Sequence, residues 1–316
     1  MNNFYRRPGF FGGLSLFPPV IKLLLISNIA IFVIFNLLLA GYSVGSMTFD
    51  AIILKYFALN PLDPVLTRDS MGQVIKLSFY PWQLVTYMFL HGGFWHLALN
   101  MFALWMFGME LENTWGQKRF LTYYMICGVG AGLCNLLIAP LFTTVGPTVG
   151  ASGAIYGILV AFGYLFPNRV IYIYGLIPLK AKYLVILYML IELFSVAGGS
   201  SSGIAHAAHL GGALIGMLVT ISFYPEILSV NTLPVLLILV PTISFILLII
   251  YKPEYLVINS FSKKQVRRTI DQEYNYRKKQ QQADIDVILE KIHRKGMKSL
   301  TKQEKKALED YSRMNK

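Results

Sequence analysis

The sequence predicts an all-α polytopic membrane protein, and three observations carry that prediction. Hydrophobic side chains fill 55% of the 316 positions and charged ones 14%, and the mean hydropathy of +0.54 is too high for a soluble globular chain. Apolar runs of about 18 residues or more, the length a bilayer core asks of a helix, recur along the chain. The net charge of +12 is gathered at one end: from Lys252 onward there are 17 Lys and Arg against 9 Asp and Glu, which puts eight of the twelve net charges in the tail. A basic tail beside a membrane points to anionic lipid on the cytosolic side, and no nucleic-acid motif accompanies it.

Taken in order, residues 1–19 form an aromatic, Gly/Pro-rich juxtamembrane arm with Arg6 and Arg7. The first span runs from about Val20 to Ala40; it is longer than a signal-peptide core and has no clear cleavage site. Residues 42–83 make a long connection, with a short helix at Asp50–Leu54 and a break at Asn60-Pro61-Leu62-Asp63-Pro64. The second span covers about Leu84–Gly108 and holds both His91 and His96. The third, about Phe120–Ala139, carries Gly128 and Gly132 four apart, a close-packing spacing. Cys127 and Cys134 lie on it about 10.5 Å apart along the axis, too far to join as a disulfide, and read as packing residues.

The fourth span, about Gly150–Phe166, is short, and the fifth covers about Tyr183–Ala197. A turn at Gly198-Gly199-Ser200-Ser201-Ser202-Gly203 leads to the sixth, ending near Tyr224. The core is therefore 20–224, followed by an extra apolar segment, 225–251, and a basic soluble tail, 252–316. Within that segment the run Leu233–Tyr251 contains Pro241 and reads either as an interfacial piece or as a seventh span. The tail predicts two short helices, Asp284–Lys295 and Lys302–Arg313, with Gly296 stopping the first and Thr301 with Glu304 capping the second.

Basic residues set the orientation. Arg6, Arg7 and Lys22 flank the first span, Lys118 and Arg119 precede the third, and Arg169, Lys180 and Lys182 lie between the fourth and fifth. Connections 140–149 and 198–203 have no Lys or Arg, so the N-terminus is expected in the cytoplasm, with spans two, four and six starting outside.

That orientation brings three separate polar positions to one depth. Ser152 opens span four, His96 and Asn100 lie in the outer half of span two, and His209 lies near the outer start of span six. Serine is a weak nucleophile until a base takes its proton, and histidine is the side chain suited to that near neutral pH. Acyl transfer also needs donors aimed at the developing oxyanion, and residues four apart, such as His96 and Asn100, share a helix face. Gly153 lets a backbone or substrate strand come close, while Gly212 and Gly216 make a smooth face for span six to press on span four. Each residue has a plainer reading: a membrane serine usually bonds back to its own helix, and glycine pairs usually only pack.

Jointly, the pattern resembles the rhomboid family of intramembrane serine proteases over about residues 80–220. The residues that carry the resemblance are His91, His96 and Asn100; Gly150, Ser152, Gly153 and Tyr156; Ala208, His209, Gly212 and Gly216; and Glu112 with Gly116. The resemblance implies a six-helix bundle around a water-filled cavity open to the outside, with Ser152 as nucleophile and His209 as general base, a dyad without an Asp. It implies an oxyanion site of His96, Asn100 and the Ser152 N–H, Tyr156 stacked on His209, and no cofactor. Its substrates would be single-span proteins cut in the lipid bilayer, here in a bacterial cytoplasmic membrane. Family members often carry Trp-Arg in the first loop; Trp82-Gln83 stands here, so an arginine-mediated anchor is missing.

Rival readings are weaker. His206 and His209 could share a metal, but there is no His-Glu-x-x-His and the spans are expected to lack carboxylates nearby, so no metal is assigned. A transporter would use the same polar residues, yet no inverted repeat is visible. A rhomboid-like client-binding protein without proteolysis usually lacks the serine or the histidine, and both are present.

Overall fold

The computed structural model describes residues 15–39, 41–45, 47–69, 71–138, 140, 146–173, 176–197 and 206–226, together with 288, 291, 292 and 301. Two compact units divide the chain, Met1–Ile258 and Asn259–Lys316. In the second unit Ile288, Lys291 and Ile292 are helical. The apolar run 233–251, the turn 198–203, most of the first tail helix and all of the second lie outside the described residues.

The first unit is mostly helical. Helix α1 (Pro19–Val33) begins with proline, whose missing N–H costs nothing at a helix start, and continues through a π-helical turn, Ile34–Leu38. Its first turn is capped from elsewhere: the buried Glu112 carboxylate accepts from the N–H groups of Val20 at 2.9 Å and Ile21 at 2.8 Å. Glu112 sits near the end of α4 (Phe94–Trp115), four residues before Gly116. Gly116 takes a φ of 78°, a conformation that favours glycine, and lets α5 (Gln117–Ile138) start at once. The Glu112/Gly116 pair thus joins three helices at one corner. Glu112→Gln is expected to cost roughly 3 kcal/mol, from two charge-assisted hydrogen bonds and a helix-dipole contact. The melting temperature in detergent should fall by about 6–12 °C, and an unchanged value would refute the capping role.

Helix α6 (Ser152–Leu165) is the centre of the bundle, packing on α4, α5 and α8 (His206–Phe223), and α5 also packs closely on α8. The buried Tyr123 hydroxyl lies 2.8 Å from the Gly157 carbonyl, 2.9 Å from that of Gly216 and 3.1 Å from Thr220 Oγ1. One phenol from α5 therefore pins α6 to α8. Helix α7 (Ala181–Ala197) flanks both. Three described stretches are long and apolar enough to cross a membrane: Pro19–Leu38, Gln117–Ile138 and His206–Phe223; Ser152–Leu165 is a shorter apolar helix.

Two expectations need correction. Span two is not one helix from Leu84 to Gly108. A short helix α3 (Gln83–Thr86) and a 3-10 turn (Tyr87–Phe89) come first, and α4 starts only after His91-Gly92-Gly93. His91 therefore precedes the helix, and His96 lies in its first turn. Nor is the chain all-α. Among the described residues there are three antiparallel strand pairs: β1 (Ser43–Val44) with β2 (Met47–Thr48), β3 (Val65–Arg68) with β4 (Val74–Leu77), and β5 (Val170–Ile173) with β6 (Ile177–Lys180). Strand β4 alternates, with Ile75 and Leu77 buried against Ala51 of α2 (Phe49–Tyr56) and Val74 and Lys76 exposed. Thr48 caps α2 through a bond from the Ala51 N–H.

The first loop is also not short of an anchor. Gln83 is fully buried; its Oε1 accepts from the N–H groups of Asn60 and Tyr80, both at 3.1 Å, and its Nε2 donates to the Lys55 carbonyl at 3.0 Å. Trp82 Nε1 donates to the Tyr56 carbonyl at 2.7 Å. A neutral amide with two donors and an acceptor on one group ties the loop from both sides.

Candidate active site

The segment leading to Ser152 is held by three independent ties. Thr148 exchanges both backbone hydrogen bonds with Leu59 at 2.9 Å, its hydroxyl accepts from Asn135 Nδ2, and the Gly150 N–H donates to the Tyr87 carbonyl at 2.9 Å. Gly150 has a φ of 127°, and a Cβ there would lie 2.8 Å from His96 Nε2, so glycine is needed both for the turn and for the ring beside it. Ser152 is the first residue of α6, and among the described residues no side chain caps that end. The first-turn N–H groups therefore keep their hydrogen-bonding capacity at the positive end of the helix dipole.

Helix α8 brings His209 to that point. The distance from His209 Nε2 to Ser152 Oγ is 2.7 Å, an ordinary hydrogen bond between residues 57 apart in sequence. Contact this close requires helices without side chains between them. A Cβ on Gly212 would collide with the Gly153 carbonyl, and one on Gly216 would lie 2.5 Å from the Gly157 Cα. Gly153 itself faces Ala131 of α5, so the room it leaves is taken by the protein's own helices and not by a substrate strand. Tyr156, one turn after Ser152, stacks on the His209 ring with centroids 4.4 Å apart and planes 15° apart.

On the other side lies His96. Its Nδ1 accepts from the Gly92 N–H at 3.3 Å, which leaves Nε2, the atom beside Gly150, as the protonated donor. Asn100 spends one amide hydrogen on the His96 carbonyl at 2.7 Å, a bond within the helix, and retains the other. His91, buried, meets the His96 ring edge-on at 5.1 Å.

One residue was not expected. Glu192 of α7 reaches the back of the histidine pair. Its Oε1 lies 3.0 Å from His209 Nδ1, its Oε2 lies 2.6 Å from His206 Nδ1, and the Tyr156 hydroxyl donates to Oε1. The expectation that the spans lack a carboxylate near these histidines is therefore wrong. Hydropathy averages over a window and passes a single acid by; the usable signal was that acid itself, because a lone glutamate in an apolar span marks a polar partner inside the bundle. The Glu192, His206 and His209 donor atoms all lie within 4.8 Å of one another, and two imidazoles with one carboxylate are a set that zinc accepts. The same atoms are already paired among themselves by hydrogen bonds.

The rhomboid domain family matches residues 78–226, and a family of unknown function matches residues 268–314. The chain is 33% identical over 219 residues to the rhomboid protease AarA of Providencia stuartii, covering 58% of this chain and 75% of that protein. It is 37% identical over 134 residues to the mitochondrial rhomboid protein 1 of Saccharomyces cerevisiae, covering 41% of this chain and 38% of the relative. A match to the rhomboid protease GluP of Bacillus subtilis is 33% identical over 136 residues, 43% of this chain and 24% of that one. The chain thus spans well under two thirds of the yeast and Bacillus proteins. From the family match and the apolar helices, this is a multi-pass integral membrane protein that belongs to the rhomboid family.

Proposed function

We propose that this protein is an intramembrane serine endopeptidase. The observation that carries the reading is the 2.7 Å contact between Ser152 Oγ and His209 Nε2 across two helices that glycines hold together. In this reading Ser152 Oγ attacks the carbonyl carbon of a peptide bond in or near a substrate's transmembrane segment, and His209 Nε2 takes the hydroxyl proton. The oxyanion that forms meets the Ser152 N–H, the Nε2–H of His96 and the remaining amide hydrogen of Asn100. Collapse breaks the C–N bond, and the leaving amine takes the proton from His209. Water, deprotonated by the same imidazole, then attacks the acyl-enzyme and releases the second product.

Six spans in a bacterial cytoplasmic membrane, with the N-terminus inside and Ser152 near the outer face, complete the proposal. Hydrolysis needs water, so the site must open to that face. The test is a purified single-span reporter co-reconstituted with the protein in liposomes. Two fragments whose masses place the cut in or beside the reporter's span are expected; an intact reporter, or cuts only in soluble regions, would contradict the reading.

A further inference from the structure

A serine–histidine pair is competent only if the imidazole presents a lone pair to the hydroxyl, and something must choose that tautomer. In this chain a carboxylate on α7 faces the far side of the ring. Glu192, whose side chain is 7% exposed, faces Nδ1 of both His209 and His206, whose side chains are each 12% exposed. A carboxylate only accepts, so each Nδ1 that bonds to it carries the hydrogen. With the proton on Nδ1, the opposite nitrogen of His209 is an unprotonated acceptor, and it lies 2.7 Å from Ser152 Oγ.

We infer that Glu192 is a positioning residue for the proposed reaction: it holds His209 in the Nδ1–H tautomer and balances the imidazolium that forms when the serine proton moves. The pair proposed above thus becomes a relay of Ser152, His209 and Glu192 on α6, α8 and α7. The inference rests on that proposal.

The surroundings suit this role better than a packing role. Acids are costly inside a membrane and remain where partners compensate them. Here both carboxylate oxygens are used, by His209 and Tyr156 on one and His206 on the other. Tyr156 is held twice, by its hydroxyl on Glu192 and by its ring on the His209 face, so carboxylate, phenol and imidazole fix one another's orientation. The imidazole can neither flip nor slide without breaking a bond to a second helix. A preorganised carboxylate also costs no rearrangement when charge develops on the ring.

The test uses the full-length protein in liposomes, with Glu192→Gln and Glu192→Asp beside wild type. Glutamine keeps the shape but offers N–H where the ring needs an acceptor; kcat should fall about 10²–10⁴-fold, with KM within about threefold of wild type. Aspartate, with the charge retained on a shorter arm, should recover at least about tenfold of that loss. Glutamine turnover within threefold of wild type, or aspartate no better than glutamine, would overturn the inference. Should Glu192→Gln fail to assemble, Glu192→Asp against Glu192→Asn makes the same comparison at one size, and equal kcat values would overturn it.

Ring nitrogen shifts of labelled His209 provide a readout independent of turnover. Wild type should show the Nδ1–H tautomer, lost in Glu192→Gln; an Nε2–H ring in wild type would overturn the inference. If wild type shows Nδ1–H but cuts nothing, the protease reading fails and the positioning stands. Wild-type turnover abolished by a chelator and restored by zinc would assign the three side chains to a metal and overturn the inference.

Discussion

Ser152→Ala is expected to reduce reporter cleavage about 10⁴-fold or more in kcat, and His209→Ala should fall to the same floor. The reason is that the two side chains act as one unit. Without the hydroxyl there is no acyl-enzyme; without the imidazole the hydroxyl keeps its proton, and it remains a poor nucleophile. The double substitution should therefore be no worse than either single one. The floor itself should exceed the rate in water, because the uncapped start of α6, His96 and Asn100 are untouched and still stabilise a developing oxyanion. Cleavage is read by following fragment appearance in liposomes under single turnover. Ser152→Ala within tenfold of wild type, or losses that add in the double variant, would remove the paired mechanism.

Gly212→Ala should be nearly as damaging, although the residue touches no substrate. The added methyl would overlap the Gly153 carbonyl, a backbone group on a helix also fixed by Tyr123 and Ala131. Neither helix can yield by a side-chain rotation, so α8 must move away from α6. Gly212 lies three residues after His209, and Gly153 directly follows Ser152. The displacement therefore falls on the 2.7 Å contact itself. A misplacement of about 1 Å costs on the order of 10²-fold in rate, and that is the expected loss of kcat. Gly146→Ala is the matched control: a Cβ there meets nothing within 4 Å, and turnover should not change. Equal activity of both alanine variants would show that close approach of the two helices is not what assembles the site.

Much of this was legible in the sequence because the local signals agree with the packing. Gly150 and Ser152 mark the start of an apolar helix, and the spacing of His209, Gly212 and Gly216 places an imidazole and two bare patches on one face. The four features that escaped have physical reasons. Glu192 has no motif neighbour, and its partners come from two other helices, so only tertiary contact reveals its task. The late start of α4 escaped because Gly92-Gly93 lies inside a mainly apolar stretch, and hydropathy does not register a break in backbone geometry. Gln83 looked like the loss of a charged anchor, whereas its amide supplies donors and an acceptor to the same loop. The hairpins were missed for a related reason: short alternating runs such as Val74–Leu77 are hard to distinguish from interfacial loop.

The most direct test of the central claim is labelling with a serine-reactive fluorophosphonate on the folded protein in liposomes. The account predicts a single adduct on Ser152 in wild type, formed much more slowly in His209→Ala. A folded wild type in which Ser152 stays unmodified, or is modified equally fast without the His209 imidazole, would contradict it.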